Sequence, residues 1–199
     1  MKTENAELMR MARESLKGKW GMAIGTYLVY ILIIAIIQGA AQRYPASGLI
    51  SLIISGPFAL GVTIFSLALS RNLDARLEQI FQGFNDFGRA LATYLLMVLF
   101  IILWMLLLII PGIIAAISYA MTFYILADDT SIKPMEAIDK SKKMMYGYKW
   151  KYFCLCLRFL GWALLCILTL GIGFLWLIPY IYVSIAKFYD DIKDKPITT

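Results

Sequence analysis

Apolar positions along this chain gather into four runs, 20–41, 48–70, 90–127 and 152–188, and charged residues return every few positions between them. A helix crosses the hydrocarbon core of a bilayer with about 20 residues. The first two runs suit one crossing each. The third and fourth, of 38 and 37 residues, are too long for one crossing and suit two if the chain turns near the middle. Each carries breakers there: Pro111 and Gly112 in "IIPGII", Gly171 and Gly173 in "LTLGIGF". The pattern therefore predicts six spans, at 20–41, 48–70, 90–110, 112–127, 152–170 and 172–188. Pro57 in "SGPFALG" predicts either a kink in the second span or a helix that starts there after a re-entrant piece.

The polar segments also carry helical periodicity. Leu73, Leu77, Ile80, Phe81 and Phe84 fall on one face, as do Leu8, Ala12 and Leu16, and Ile138 with Met145 behind the helix-starting Pro134. Each segment continues into a glycine, then aromatic residues, then a span. The glycines are Gly18, Gly83 and Gly147, spaced by 65 and 64 residues. Such spacing is what internal duplication leaves. The expected architecture is a single all-α polytopic domain over 1–199, with repeat units of about 1–71, 72–129 and 130–191 and a short tail over 192–199. It has six transmembrane helices in three hairpins, three cytoplasmic amphipathic helices and a pseudo-threefold repeat. Those surface helices are expected in the membrane interface, basic face toward the headgroups; the alternative is a cap in which they pack on one another. The glycine would turn the chain from the surface into the membrane.

Charge sets the orientation. Seventeen of the basic residues fall on one side of this six-span path and one, Arg43, on the other, with Arg158 inside a span. By the positive-inside rule both termini are cytoplasmic. The first apolar run is too long for a secretory signal, so it is expected to stay as a span. Composition agrees: 61% of the residues are hydrophobic and 16% charged, against about 25% charged in soluble domains.

Little of the chain suggests chemistry. There is no histidine, which removes the commonest general base and metal ligand, and none of the thirteen acidic residues lies well inside a span. Cys154, Cys156 and Cys166 share one apolar run and read as small buried side chains. Asp128–Asp129 and Asp190–Asp191 read as solvated helix ends rather than a divalent-ion site. No catalytic, cofactor or metal residue is expected, and no nucleic-acid partner: "KKMMYGYKWKYF" (142–153) reads as a membrane-entry element whose rings Tyr146, Tyr148, Trp150 and Tyr152 sit at headgroup depth. The candidate contacts are with anionic lipid headgroups: Lys17, Lys19, Trp20, Lys142, Lys143, Lys149, Trp150, Lys151 and Arg158. Arg158 either meets an anionic group within the bundle or snorkels to the cytoplasmic surface.

The blocks "LKGKWGMAIGTYLVYIL", "FQGFNDFGRAL", "IIPGIIAAISYAMTFYILADD" and "GWALLCILTLGIGFLWLIPY" resemble a family of bacterial multi-pass membrane proteins catalogued as a domain of unknown function. The likeness runs over nearly the whole chain. It implies a protein of the bacterial cytoplasmic membrane, commonly in Gram-positive and gut bacteria, and brings no activity and no catalytic residues. The family pattern has a small or hydroxyl residue near position 158, so Arg158 reads as a local departure. The function expected is a non-enzymatic membrane protein that engages lipids, a membrane partner or a second copy through its basic cytoplasmic face. A small transporter or exporter subunit, and protection against membrane-active peptides, are the rivals.

Overall fold

The computed structural model describes residues 3–43 and 47–194; residues 44–46, Lys2 and Lys195, and the side chain of Arg43 lie outside the described residues. Nine α-helices and one 3-10 helix make up the described fold: α1 Asn5–Leu16, α2 Trp20–Arg43, α3 Ser47–Ser70, the 3-10 helix Leu77–Phe84, α4 Phe87–Leu107, α5 Ile109–Tyr119, α6 Thr122–Asp128, α7 Pro134–Met144, α8 Lys149–Leu168 and α9 Phe174–Ile192. Five segments are long and apolar enough to cross a membrane: Trp20–Gly39, Ile50–Ser70, Phe87–Leu107, Ile109–Asp128 and Lys149–Leu168. α9 has a span's length, but its last six residues hold Lys187, Asp190 and Asp191.

The returning helices form the inside and the outgoing helices the outside. Two thirds of the span in α3 is buried, half of that in α5–α6, and under a fifth in α2, α4 and α8. α3 touches α1, α2, α4, α6, α9 and the 3-10 helix. Between α2, α3 and α9 the interior is aromatic: Tyr27 stacks on Tyr182 at 5.1 Å between ring centres, meets Phe65 edge-on, and pairs its hydroxyl with Ser66 at 2.7 Å. Tyr124 of α6 stacks on Tyr189 of α9 in the same way.

The breakers act differently from their reading in the sequence. α4 stops at Leu107, Leu108 is extended, and Pro111 lies in the first turn of α5. A first-turn proline lacks only an N–H that has no helical acceptor anyway, so it starts this helix rather than ending the previous one. Pro57 sits inside a continuous α3, with no re-entrant piece over the described residues. Pro179 likewise lies within α9. The turn after α8 does fall on the glycines, with Leu170 and Gly171 both at positive φ.

α5 and α6 are one span broken at Ala120–Met121, and Ser141 of α7 repairs the break. Its buried hydroxyl donates to the Ser118 carbonyl (2.8 Å) and accepts the Met121 N–H (3.2 Å). Both backbone groups lost their helical partners at the break, so one side chain satisfies both.

The amphipathic segments turn their apolar faces into the protein. Leu8, Ala12 and Leu16 of α1 are buried against the bundle, as are Ala137, Ile138 and Met144 of α7. The second segment is shorter than expected and is a 3-10 helix; Leu73 lies outside it and is exposed. Gly18 and Gly147 each form a turn between a short amphipathic helix and the long apolar helix that follows. Each is the third residue of a four-residue turn, at φ +79° and +76°, closed by Lys19 N–H to the Leu16 carbonyl and Tyr148 N–H to the Met145 carbonyl. Gly83 differs: it is not in the left-handed region, and it lies against the backbone of α3.

Candidate functional site

Two polar assemblies stand at the ends of these helices. The first lies where α3, α6 and α9 terminate. Asn72, at φ +58°, ends α3, with the Leu73 N–H on the Ala68 carbonyl and the Asn72 N–H on that of Leu69. This closure leaves the Ser70 carbonyl free of a helical donor. The Ser15 hydroxyl (3.1 Å) and the Lys187 ammonium donate to it. Arg71 then reaches two carboxylates at once: Asp128 at the end of α6 (2.6 and 2.8 Å) and Asp190 in α9 (2.8 Å). Lys193 lies 3.4 Å from Asp128 and 3.2 Å from Asp190, and the Tyr189 hydroxyl donates to Asp128. Cations at helix C-termini oppose the negative end of the helix dipole, so Arg71, Lys187 and Lys193 are favoured here and offset the two carboxylates that sit at the same ends. The hydrogen bonds to Asp128 hold the Arg71 guanidinium above its already high ordinary range, so it stays cationic.

Three of the four acids at the double-acid ends are thus ion-paired rather than simply solvated. Asp128 and Asp190 share Arg71, and Asp191 takes the Lys151 ammonium at 2.8 Å. Asp129 caps its own turn, and hydrogen bonds from Ser131 hold its carboxyl below the usual range. Among the described residues no group of three or more metal-ligating side chains comes together.

The second assembly is a lateral groove between α1–α2 and α8, floored by α9. The part beside α1 is a recess of about 300 Å³ walled by Ala6, Met9, Arg10, Arg13, Arg158 and Tyr180. It runs into a slot of about 270 Å³ beside Trp20, Trp162, Cys166, Trp176 and Leu177, the two sharing Arg13 and Tyr180. Local helix geometry builds it. Arg158, Trp162 and Cys166 are spaced i, i+4, i+8 on α8, and Gly173, Leu177 and Tyr180 are spaced i, i+4, i+7 on α9, so each set lines one face. Arg10 is held by Glu7 and Glu14. Arg13 lies over the Tyr180 ring at 5.7 Å. Among the described residues no carboxylate lies within 4 Å of Arg13 or Arg158 in an ion pair.

Of the residues expected from the sequence, Trp20 and Arg158 come together along this groove. Lys142 and Lys149 line a second, smaller hollow with Trp104, Ser118 and Tyr119. Lys17 and Lys143 are exposed and Lys19 partly so, all without a carboxylate partner among the described residues. Lys151 is bound to Asp191, which takes it out of the free basic face. The ring belt divides: Tyr146 and Trp150 are exposed, whereas Tyr148 and Tyr152 pack inward, Tyr152 against Phe188. Sequence reasoning missed Arg10, Arg13 and Tyr180 as neighbours of Arg158. The α8 stripe was visible as periodicity, but nothing local joins it to α1, well over a hundred residues earlier.

No curated protein and no solved structure matches the chain. One family model does, over residues 1–118 and again over 105–196, and its description is "Protein of unknown function (DUF975)". Those matches cover nearly the whole of an all-helical chain with five apolar, membrane-length segments, and the chain belongs to that family.

Proposed function

We propose that this is a non-enzymatic protein of the bacterial cytoplasmic membrane that engages anionic lipids through a basic cytoplasmic face, with a membrane-protein partner or a second copy as further occupants of that face. One observation carries the reading. Lys17, Lys19, Lys142, Lys143 and Lys149, like Arg13 and Arg158, have no carboxylate ion-pair partner among the described residues, and all lie in or beside α1, α7 and α8. Basic residues at the cytoplasmic surface of a membrane attract anionic headgroups by about 1 kcal/mol each. The aromatic filling between α2, α3 and α9 favours this reading over a solute route through the bundle.

The topology proposed with it has six spans and both termini cytoplasmic. α9 joins α8 through the tight turn at 169–173, and its charged end meets the C-termini of α3 and α6. Those two helices end candidate spans, which supports α9 as the returning arm of a third hairpin. The packing of the surface segments supports a cyclic threefold repeat. α1 lies on α9, the 3-10 helix on α3, and α7 on α6, so each unit's surface segment packs on the preceding unit's returning helix.

Two measurements test these statements. In a variant without native cysteines, Ser131→Cys and Asp194→Cys are expected to react with an impermeant thiol reagent only from the cytoplasmic side, and Leu170→Cys only from the other. Labelling of Asp194→Cys from outside would leave five spans. Reconstituted full-length protein is expected to unfold about 5 °C higher in phosphatidylcholine discs containing phosphatidylglycerol than in phosphatidylcholine alone, the effect of a ligand that binds only the folded state. Equal unfolding temperatures would overturn lipid engagement.

A further inference from the structure

We infer that the groove between α1–α2 and α8 is a binding site for one anionic phospholipid of the cytoplasmic leaflet, its phosphate on Arg13 and Arg158 and one acyl chain in the tryptophan-lined slot. This rests on the lipid-engaging reading above and assigns it a place. Of the other cations named above, Lys17 and Lys143 are exposed, Lys19 borders a hollow that also holds Asp74, and Lys142 and Lys149 line the smaller hollow beside Trp104.

The first argument is the level of Arg158. By its position it is nine residues into α8, about 13 Å along the helix. α1 changes what that depth means. Arg10, Arg13, Glu7 and Glu14 are exposed or ion-paired on the outer face of α1, and Arg10 and Arg13 wall the same recess as Arg158. A helix carrying four such charges stays at the headgroup level. Arg158 therefore lies below the headgroups but within snorkelling reach of them, and its guanidinium meets that of Arg13 in the recess beside α1.

The second argument is charge. Arg10 is neutralised by Glu7 and Glu14, but Arg13 and Arg158 face one recess with no carboxylate partner. Two like charges sharing a recess repel, and a phosphodiester offers both of them acceptor oxygens in forked geometry. Tyr180, under Arg13, lines both the recess and the slot below, where the one passes into the other.

The third argument is length and lining. From Arg158 to Cys166 the α8 stripe covers eight residues, about 12 Å, close to the half-thickness of a ~30 Å hydrocarbon core. Trp162 and Trp176 flank this stretch, with Leu177 and Cys166 at its floor. A free phosphate or a soluble phosphate ester would leave it unfilled. A lipid of the same leaflet fills both parts at once and enters sideways from the bilayer.

The test uses the tryptophans that line the slot. Full-length protein with Trp104→Phe and Trp150→Phe keeps Trp20, Trp162 and Trp176 as emitters. It is placed in phosphatidylcholine discs containing a minor fraction of either brominated phosphatidylglycerol or brominated phosphatidylcholine. Quenching by the anionic lipid is expected to show about a tenfold preference over the zwitterionic one, the size two part-exposed arginines supply. Arg13→Gln with Arg158→Gln is expected to bring the preference close to unity, and Arg158→Lys, which keeps the charge, to retain most of it. The wild-type preference surviving in Arg13→Gln/Arg158→Gln, and vanishing instead in Lys142→Gln/Lys149→Gln, would overturn the groove and leave the lipid-engaging face standing. No preference in the parent protein, by this or by unfolding temperature, would overturn both. Relief of quenching by excess glycerol phosphate would overturn the lipid as occupant in favour of a soluble phosphate ester.

Discussion

Gly61→Ala and Gly83→Ala are each expected to cost the fold about 3 kcal/mol, a fall of about 6–12 °C in the unfolding temperature for a chain of this size. A Cβ on Gly61 would stand 1.9 Å from the Ile80 carbonyl oxygen, and one on Gly83 would stand 1.9 Å from the Pro57 carbonyl oxygen. Both obstacles are backbone, so no rotamer change relieves them. With a Cα–Cβ bond of about 1.5 Å, each glycine Cα lies at most about 3.4 Å from that oxygen, the range of a Cα–H···O contact. The pair is reciprocal: a glycine of each segment receives a carbonyl of the other, and the 3-10 helix lies flush on α3. In a membrane, where burying apolar surface adds little between helices, such close approach is a main source of association. Gly25→Ala and Gly88→Ala are the controls. Nothing lies within 4 Å of either added Cβ, so both are expected to be neutral or slightly stabilising. Equal unfolding temperatures for all four variants would show that α3 and the 3-10 helix can separate without loss.

The same contact explains one part of the fold that the sequence pattern did not convey. Periodicity of Leu73, Leu77, Ile80, Phe81 and Phe84 is consistent with an α-helix on a membrane surface, and apolar spacing reports a face, not what covers it. Here the cover is α3, and Gly61 and Gly83 hold the two backbones too close for an ordinary helix lying on side chains. Gly18 and Gly147 kept the meaning that their positions suggested, because a turn is a local matter of φ. Gly83 did not, because its role depends on a neighbour more than twenty residues away.

The apolar runs were legible for a similar reason. A span's length and composition are properties of one segment, and five of the segments stand as helices of membrane length. The span boundaries were less legible where a breaker had two possible roles. Pro111 marks a turn in either case, but only the extended Leu108 shows that the proline begins a helix. Ion pairing was least legible. "LADDTSIKP" and "KFYDDIKD" look like polar ends bound for water, and Arg71 looks like one more cytoplasmic positive charge. Their meeting requires the C-terminal ends of α3, α6 and α9 to converge. That convergence follows from the inner placement of the returning helices, which only the packed bundle shows.

Arg71→Met is expected to destabilise the protein by about 2 kcal/mol, seen as a fall of about 4–8 °C in unfolding temperature. Removing one partner of a fully buried ion pair costs about 3–5 kcal/mol, because a charge is left without compensation. Here roughly a quarter of the Asp128 and Asp190 side chains is open to solvent, at 24% and 23%, and Lys193 remains within 3.4 Å of the first and 3.2 Å of the second. Solvent screening and that remaining cation reduce the cost by about half. Arg71→Lys separates charge from geometry. An ammonium keeps the charge but cannot fork onto carboxylates from two helices, so a loss between wild type and Arg71→Met is expected. The decisive variants are Asp128→Asn and Asp190→Asn, alone and combined with Arg71→Met. If the cluster ties α3, α6 and α9 together, these changes are strongly non-additive. The carboxamides then cost little in the Arg71→Met background, because the guanidinium they would have lost is already gone and each removes a carboxylate left without it, and the coupling exceeds about 1 kcal/mol. Additive effects, or a loss below about 0.5 kcal/mol for Arg71→Met, would mean that these contacts are surface pairs of the ordinary weak kind. The returning helices would then be held by their apolar packing and by aromatic contacts such as Tyr124 on Tyr189, and these three helix ends would be free to part.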